Sequence, residues 1–187
     1  MRAPACFVPP AFHPDGPPTN VQRTNATIGD LRGVFADEEA RQAFPEQAVV
    51  YAVHAIRPVP EGTEGGLFCG TTLVMPGQVG GEYFMTRGHF HTQRDRAEFY
   101  WCMAGEGLLL LMDEDRRCRA EPMWPGTTHY IPGHTAHRAV NTGHEVLSFS
   151  ACWPSDAGHD YAAIVRSPFS LRVFCVDSVP TIVEARG

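Results

Sequence analysis

From residue 49 onward the chain is a succession of short apolar runs, rich in β-branched and aromatic residues and broken every few positions by Gly, Pro or charged residues. The runs VVYAVHAI, LFCGTTLVM, GEYFMTRGHFH, AEFYWCM, GLLLLM, THYI, HRAVN, VLSFSAC and LRVFCV have strand length. Between them PGQVGG, AGEG, DEDRR, WPG and NTGHE carry turn chemistry. Strand-length runs separated by tight turns predict antiparallel pairing, and therefore an all-β sandwich or barrel. One helix is predicted, in FADEEARQAFPEQ, where acidic residues open the segment and Pro45 stops it. Residues 1 to 22 are rich in Pro and polar side chains and read as an irregular arm. The expected organisation is an arm and short helix over 1–45, packed on a barrel formed by 46–187.

A chain of 187 residues is long enough to bury one core. The formal net charge of −6 is made from dispersed charges, so no basic stripe is available to neutralise nucleic-acid phosphates. The sequence contains no Lys, which excludes Schiff-base and pyridoxal chemistry. Its six Cys lack C-x-x-C spacing and read as thiols within strands. No apolar run has the length of a membrane span, and the N-terminal apolar patch is too short and Pro-broken for a signal peptide, so a cytoplasmic protein is expected.

Candidate chemistry is concentrated in GHFHTQRDRAE. On a strand His89 and His91 share one face while Phe90 takes the other. Glu98 and Tyr100 form a second same-face pair. If the 92–97 turn lays the two strands side by side, Glu98 faces the imidazoles, and His137 can lead a third strand beside them. Three imidazoles and a carboxylate are a donor set for Fe, Mn, Ni or Zn with positions left for substrate oxygens.

The segments HFHTQRDRAEFYWCMAG and GTTHYIPGHTAHRAVN resemble the two cupin motifs, the second ending at His137 and Asn141. Two features depart from most cupins: the gap from His91 to Glu98 is long, and His134 replaces a Gly. Both departures, with MTRGHFHTQRDRAEFYWCMAGEGLLLL, PGTTHYIPGHTAHRAVNTG and PSDAGHDYAAI, resemble the cupin-type phosphoglucose isomerases. That likeness extends from RTNATIGDLRGVFAD to AAI. It implies a single cupin barrel of the jelly-roll, double-stranded β-helix type, interconverting glucose 6-phosphate and fructose 6-phosphate as a homodimer, with one divalent ion per subunit, Fe2+ first among the choices.

By motif position the resemblance implies metal ligands His89, His91, Glu98 and His137. Thr71, Thr86, Gly88 and Tyr161 correspond to phosphate-binding positions. Tyr51, Tyr100 and His159 correspond to residues lining the sugar, with Glu98, Tyr100 and His159 as the catalytic set. Hydroxyls and a backbone N–H at Gly suit a phosphate dianion, and a carboxylate beside the reacting carbons can carry the proton. Trp153 stands where the family carries Tyr before its D-A-G-H-D-Y block, and indole cannot act as a phenol. Two other classes fit the same donor set: an Fe(II) dioxygenase, and a sugar-phosphate-binding cupin without turnover. The apolar outward faces of AEFYWCM and GLLLLM require cover from the arm or from a second subunit.

Overall fold

The computed structural model describes residues 21–185, so residues 1–20 of the expected arm lie outside the described part. The largest sheet has six antiparallel strands in the order β1 (Gln22–Thr27), β2 (Val49–Ile56), β3 (Leu67–Val74), β11 (Leu147–Pro154), β6 (Glu98–Ala104) and β9 (Thr128–Ile131). A three-stranded sheet runs β10 (Thr135–Asn141), β7 (Gly107–Asp113) and β8 (Cys118–Met123). A four-stranded sheet runs β13 (Val179–Glu184), β12 (Leu171–Val176), β5 (Glu82–Tyr83) and β4 (Gln78–Val79). The result is the all-β sandwich that the strand pattern predicts. Between the sheets lies a core that includes Val50, Leu109, Leu111, Ile131 and Phe149.

Several elements differ from the sequence expectation. β1 is polar, QRTNAT, and has no alternating apolar face, yet it pairs with β2 along its whole length. The main sheet therefore begins inside the segment assigned to the arm and crosses the expected boundary at residue 45. β8 and β13 were concealed in the same way by Arg, Glu and Pro. The predicted helix is α1 (Glu38–Gln42), capped by the Asp37 carboxylate on the Ala40 N–H. A second helix, α2 (Tyr161–Arg166), is capped by Asp160 on the Ala163 N–H.

GEYFMTRGHFH is a strand only at Glu82–Tyr83. Beyond it the chain runs as an extended connector, touching β10 through isolated bridges at Met85 and His89. Gly88 interrupts it with a φ of 75°. A Cβ there would lie 2.7 Å from Phe169 and 3.1 Å from the His137 carbonyl, so only Gly fits. All of β7 from Leu109 to Met112 is buried within the chain, so its two faces need no partner subunit. Asn141, at the end of β10, is wholly buried and donates to the carbonyls of Val74 and Glu145, both at 2.8 Å, tying β10 to the main sheet.

The long segment between His91 and Glu98 builds a dock for residues 156–160. The Arg96 guanidinium grips Asp156 at 2.7 to 3.1 Å. Arg94 reaches Asp160 at 2.6 Å and also donates to the His91 carbonyl. The Gln93 N–H donates to the Ala157 carbonyl and the Asp160 N–H to that of Phe90. Thr92 packs so closely on Gly158 that a Cβ there would meet its hydroxyl at 2.7 Å. Two ion pairs thus bracket His159. The hydrogen bond from Arg96 lowers the Asp156 pKa, and that from Arg94, followed by the Ala163 N–H, lowers the Asp160 pKa.

Because both folded-state carboxyls titrate below their unfolded value of about 3.9, their contribution is complete above that pH and is lost as pH falls below it. Arg96→Leu is expected to speed backbone amide exchange over residues 156–161 by about ten-fold, while β7 and β10 keep their protection. Acidification of the unsubstituted chain below about pH 4 should loosen the same segment first. Unchanged exchange in both experiments would mean that the segment is held without these pairs.

Candidate active site and metal centre

Four side chains converge between the sheets: His89 and His91 from the connector, Glu98 from the start of β6 and His137 from β10. Their donor atoms all lie within 4.8 Å of one another. The expected side-by-side pairing of the His89 and Glu98 strands does not occur. His89 bridges His137, whereas β6 is flanked by β9 and β11 in the opposing sheet. The carboxylate meets the imidazoles across the sandwich. The inference that His89 and His91 share a face survives, since Phe90 turns away into the core.

The geometry fits a cation. Glu98 Oε2 lies 3.2 Å from His91 Nε2 and 3.0 Å from His137 Nε2. His91 Nδ1 is 2.9 Å from the Arg96 carbonyl, which only a protonated Nδ1 can use. His91 Nε2 must therefore take a second proton or turn its lone pair on a cation shared with the carboxylate. The His137 contact is close but not aligned as a hydrogen bond, and Nε2 of both His89 and His137 is buried without a hydrogen-bond partner among the described residues. Buried ring nitrogens without partners, gathered beside a carboxylate oxygen, are a donor set that a metal ion would complete.

Without the ion, burial works to raise the Glu98 pKa, but the close contacts and charges of His137 and His91 prevail and bring it to about 2. Burial likewise works to lower His91, and the Glu98 hydrogen bond outweighs it, so that imidazole is raised. His89 is pushed well down, first by burial and then by the charges of His137, His159 and His91. It is a neutral imidazole, the form that ligates.

The cluster forms one wall of a cavity of about 610 Å³, counted out to its open mouth. Tyr51, Thr86, Gly88, His89, Glu98, Tyr100, His137, His159 and Tyr161 all line it, and His91 is buried behind the wall. Thr86 Oγ1 accepts the Ala139 N–H at 3.1 Å, which leaves the hydroxyl proton free to donate into the cavity. Tyr161 opens α2, stands parallel to His159 at 5.8 Å between centroids and lies under the Arg87 guanidinium at 5.4 Å. His159 lies at the exposed mouth, 4.4 Å from the His89 ring between centroids. Partial desolvation of its ring against the cavity wall foremost lowers its pKa.

Tyr100 is held well above the ordinary phenol value, first by burial and then by the Glu98 charge. Tyr51 rises to about 12, first by burial and then through Tyr161. Both are hydrogen-bond donors at neutral pH.

Thr71 requires a correction. It is wholly buried on the opposite face of β3, 3.0 Å from Ser150 Oγ, and does not reach the cavity. Thr72 does, together with Gly70, Val53 and Phe149. Strand alternation demands that one member of the pair be out, and register with β11 decides which. Trp153 also lines the cavity, its ring edge-on to Phe68 at 6.1 Å, so indole occupies the place of the family's Tyr.

The sequence model described as glucose-6-phosphate isomerase (GPI) matches residues 25–176. The glucose-6-phosphate isomerase of Thermococcus kodakarensis is 45% identical over 158 residues, covering 84% of this chain and 82% of that protein. That of Pyrococcus horikoshii is 46% identical over 145 residues, 76% of each chain. The enzyme of the same name from Sinorhizobium medicae is 42% identical over 151 residues, covering 79% of this chain and 69% of that one. Oxalate decarboxylase from Bacillus subtilis superposes with a TM-score of 0.45 at 19% identity, over 58% of this chain and 26% of that one, from which no shared chemistry follows. The matched span contains every member of the His/Glu cluster and of the His159 block, and the chain belongs to the glucose-6-phosphate isomerase family.

Proposed function

We infer that the chain interconverts glucose 6-phosphate and fructose 6-phosphate, with a divalent cation, Fe2+ first among the candidates, held by His89, His91, Glu98 and His137. The observation that carries this reading is the Glu98 carboxylate oxygen set between imidazole nitrogens in the wall of a cavity lined by Thr, Tyr and His side chains, in a chain of this family. Bound there, a cation would polarise the sugar O1 and O2 and so acidify the carbon that must lose a proton.

The chain's own groups divide the remaining work. Phosphate is held by the Thr86 and Thr72 hydroxyls, the Gly88 backbone and the Tyr161 phenol, and that handle sets which carbons stop beside Glu98. Oε2 is the oxygen among the nitrogens, so the second carboxylate oxygen is the one free to move a proton between C1 and C2 by way of a cis-enediol. His159, neutral and at the mouth, passes a proton between the two sugar oxygens. Tyr100, kept as a phenol, donates a hydrogen bond and orients the sugar or the carboxylate. No helix among the described residues is long and apolar enough to cross a membrane, which accords with a cytoplasmic enzyme acting on a soluble sugar phosphate.

The assembly is a homodimer in this reading. The outward face of the main sheet leaves Phe99 and Met103 exposed on β6 beside Tyr130 on β9, with Leu67 farther along. An apolar face of that kind suits a second copy. Solution mass at micromolar concentration should be twice that of the chain, and Phe99→Glu with Met103→Glu should halve it. A monomeric unsubstituted chain would remove the proposal.

Turnover of fructose 6-phosphate in heavy water tests the chemistry. Protein with its metal restored should place deuterium at C2 of glucose 6-phosphate, and stripped protein or His137→Ala should lose metal and turnover together. Glu98→Gln should reduce turnover by roughly 10²–10⁴-fold, with a smaller change in KM. Full activity in stripped protein overturns the metal reading. Activity without deuterium incorporation, retained in Glu98→Gln, replaces the enediol by a hydride shift.

The two threonines give a separate test. Thr72→Val should raise KM for fructose 6-phosphate by about ten-fold, the loss of one donor to a charged group. Thr71→Val should leave KM unchanged and register only in the unfolding midpoint, because it breaks the buried contact to Ser150. The reverse pattern would return Thr71 to the phosphate site.

A further inference from the structure

A second cavity shares Tyr161 with the first and is lined by Arg32, Arg87, Arg138 and Arg172, with Ile164 beside them. It encloses about 650 Å³ counted to its mouth. Four guanidiniums around one cavity repel one another unless anions are interleaved, and the carboxylates nearby are already committed. Glu82 is wholly buried and takes Arg172 Nη1 at 2.8 and 3.0 Å, while its Oε2 also accepts the Ala36 N–H at 2.7 Å. Among the described residues, the one ion pair of Arg32 is a 3.7 Å contact with Glu46 at the surface. Arg87 donates to the Asp30 carbonyl and covers the Tyr161 ring.

Arg138 is the decisive residue. It is 4% exposed, and no carboxylate among the described residues lies within ion-pair distance of it. Nε and Nη2 both donate to the Arg87 carbonyl, at 3.2 and 2.6 Å, and the guanidinium lies over the Phe169 ring at 4.4 Å. Nη1 makes no hydrogen bond among the described residues. An Arg does not discard its proton to escape burial, so a charge taken out of water lines this cavity with no carboxylate closer than the longer-range Glu82 among the described residues.

We propose that this cavity binds a phosphate-class dianion, separately from the cavity that takes the sugar phosphate. The chemistry selects that class. Arg32, Arg87 and Arg138 bring three cations, of which Arg138 feels the buried Glu82 charge only from beyond ion-pair distance, and several guanidinium forks around one cavity can each take a pair of the several oxygens of a tetrahedral oxyanion. Arg87 lies between Thr86 and Gly88 and covers Tyr161. An anion drawn to it therefore bears on two walls of the sugar cavity.

Equilibrium dialysis of labelled inorganic phosphate against the metal-loaded protein tests this, with saturating fructose 6-phosphate present to fill the first cavity. One phosphate per chain should remain bound. Arg138→Met should weaken that binding at least about ten-fold, the loss of one charge-assisted contact. In phosphate-free buffer its unfolding midpoint should equal or exceed that of the unsubstituted chain, because Met fills the space without a charge; a merely structural Arg138 would lower the midpoint with or without phosphate. Arg32→Ser, at a side chain that is 70% exposed, should weaken phosphate without touching the fold. Competition by glycerol 3-phosphate would assign a phosphate ester as the occupant, and failure to compete would assign free phosphate. Phosphate displaced by fructose 6-phosphate but not by glycerol 3-phosphate would place it in the sugar cavity, and that outcome, or phosphate bound undiminished by both variants, overturns the proposal.

Discussion

A single oxygen, Glu98 Oε2, sits about a hydrogen-bond length from two imidazole nitrogens that belong to different parts of the chain. Burying a carboxylate is costly unless its charge is met, and here it is met only if the two sheets close on each other in one register. Glu98 rides on β6 in the main sheet and His137 on β10 in the smaller one. The contact that makes the site therefore also locks the sandwich. Its ring nitrogens are left short of partners in the same place, and the donor set that costs stability without an ion is the one that would bind it.

The segment from Thr92 to Arg96 joins this centre to the mouth of the cavity. Its Arg96 carbonyl fixes the tautomer of His91, while the side chains of Arg96 and Arg94 hold Asp156 and Asp160 on either side of His159. Asp160 then caps α2 and so places Tyr161. Electrostatics inside the cavity follow from the same arrangement. The carboxylate stays ionised, His89 and His159 stay neutral, and the buried phenols keep their protons. Each group is in the form that its proposed part in the isomerisation requires.

Much of this was legible along the chain, because the relevant information is local. Alternation places His89 and His91 on one face whatever the neighbours, and residue chemistry identifies the donors. The strand runs and turn residues declared an all-β architecture, and the motif blocks pointed to the family. Polar strands such as QRTNAT were not legible, since only pairing with β2 makes them strands.

What the tertiary structure alone decided is non-local. Thr71 and Thr72 are chemically identical neighbours, and the choice between them rests on the parity of β3 against β11, which no property of GTTLVM contains. The crossing of Glu98 to the imidazoles from the opposite sheet, rather than from an adjacent strand, depends on which strands pair. Arg138 reads in HRAVN as an ordinary polar position on a strand, and only the packing of Phe169 and the connector over it turns it into a buried charge with no carboxylate at ion-pair distance among the described residues. The sequence by itself determined which side chains can do chemistry and which near neighbours share a face, because backbone geometry repeats every two residues. The fold decided which faces meet, because pairing energy is shared between segments far apart in the chain.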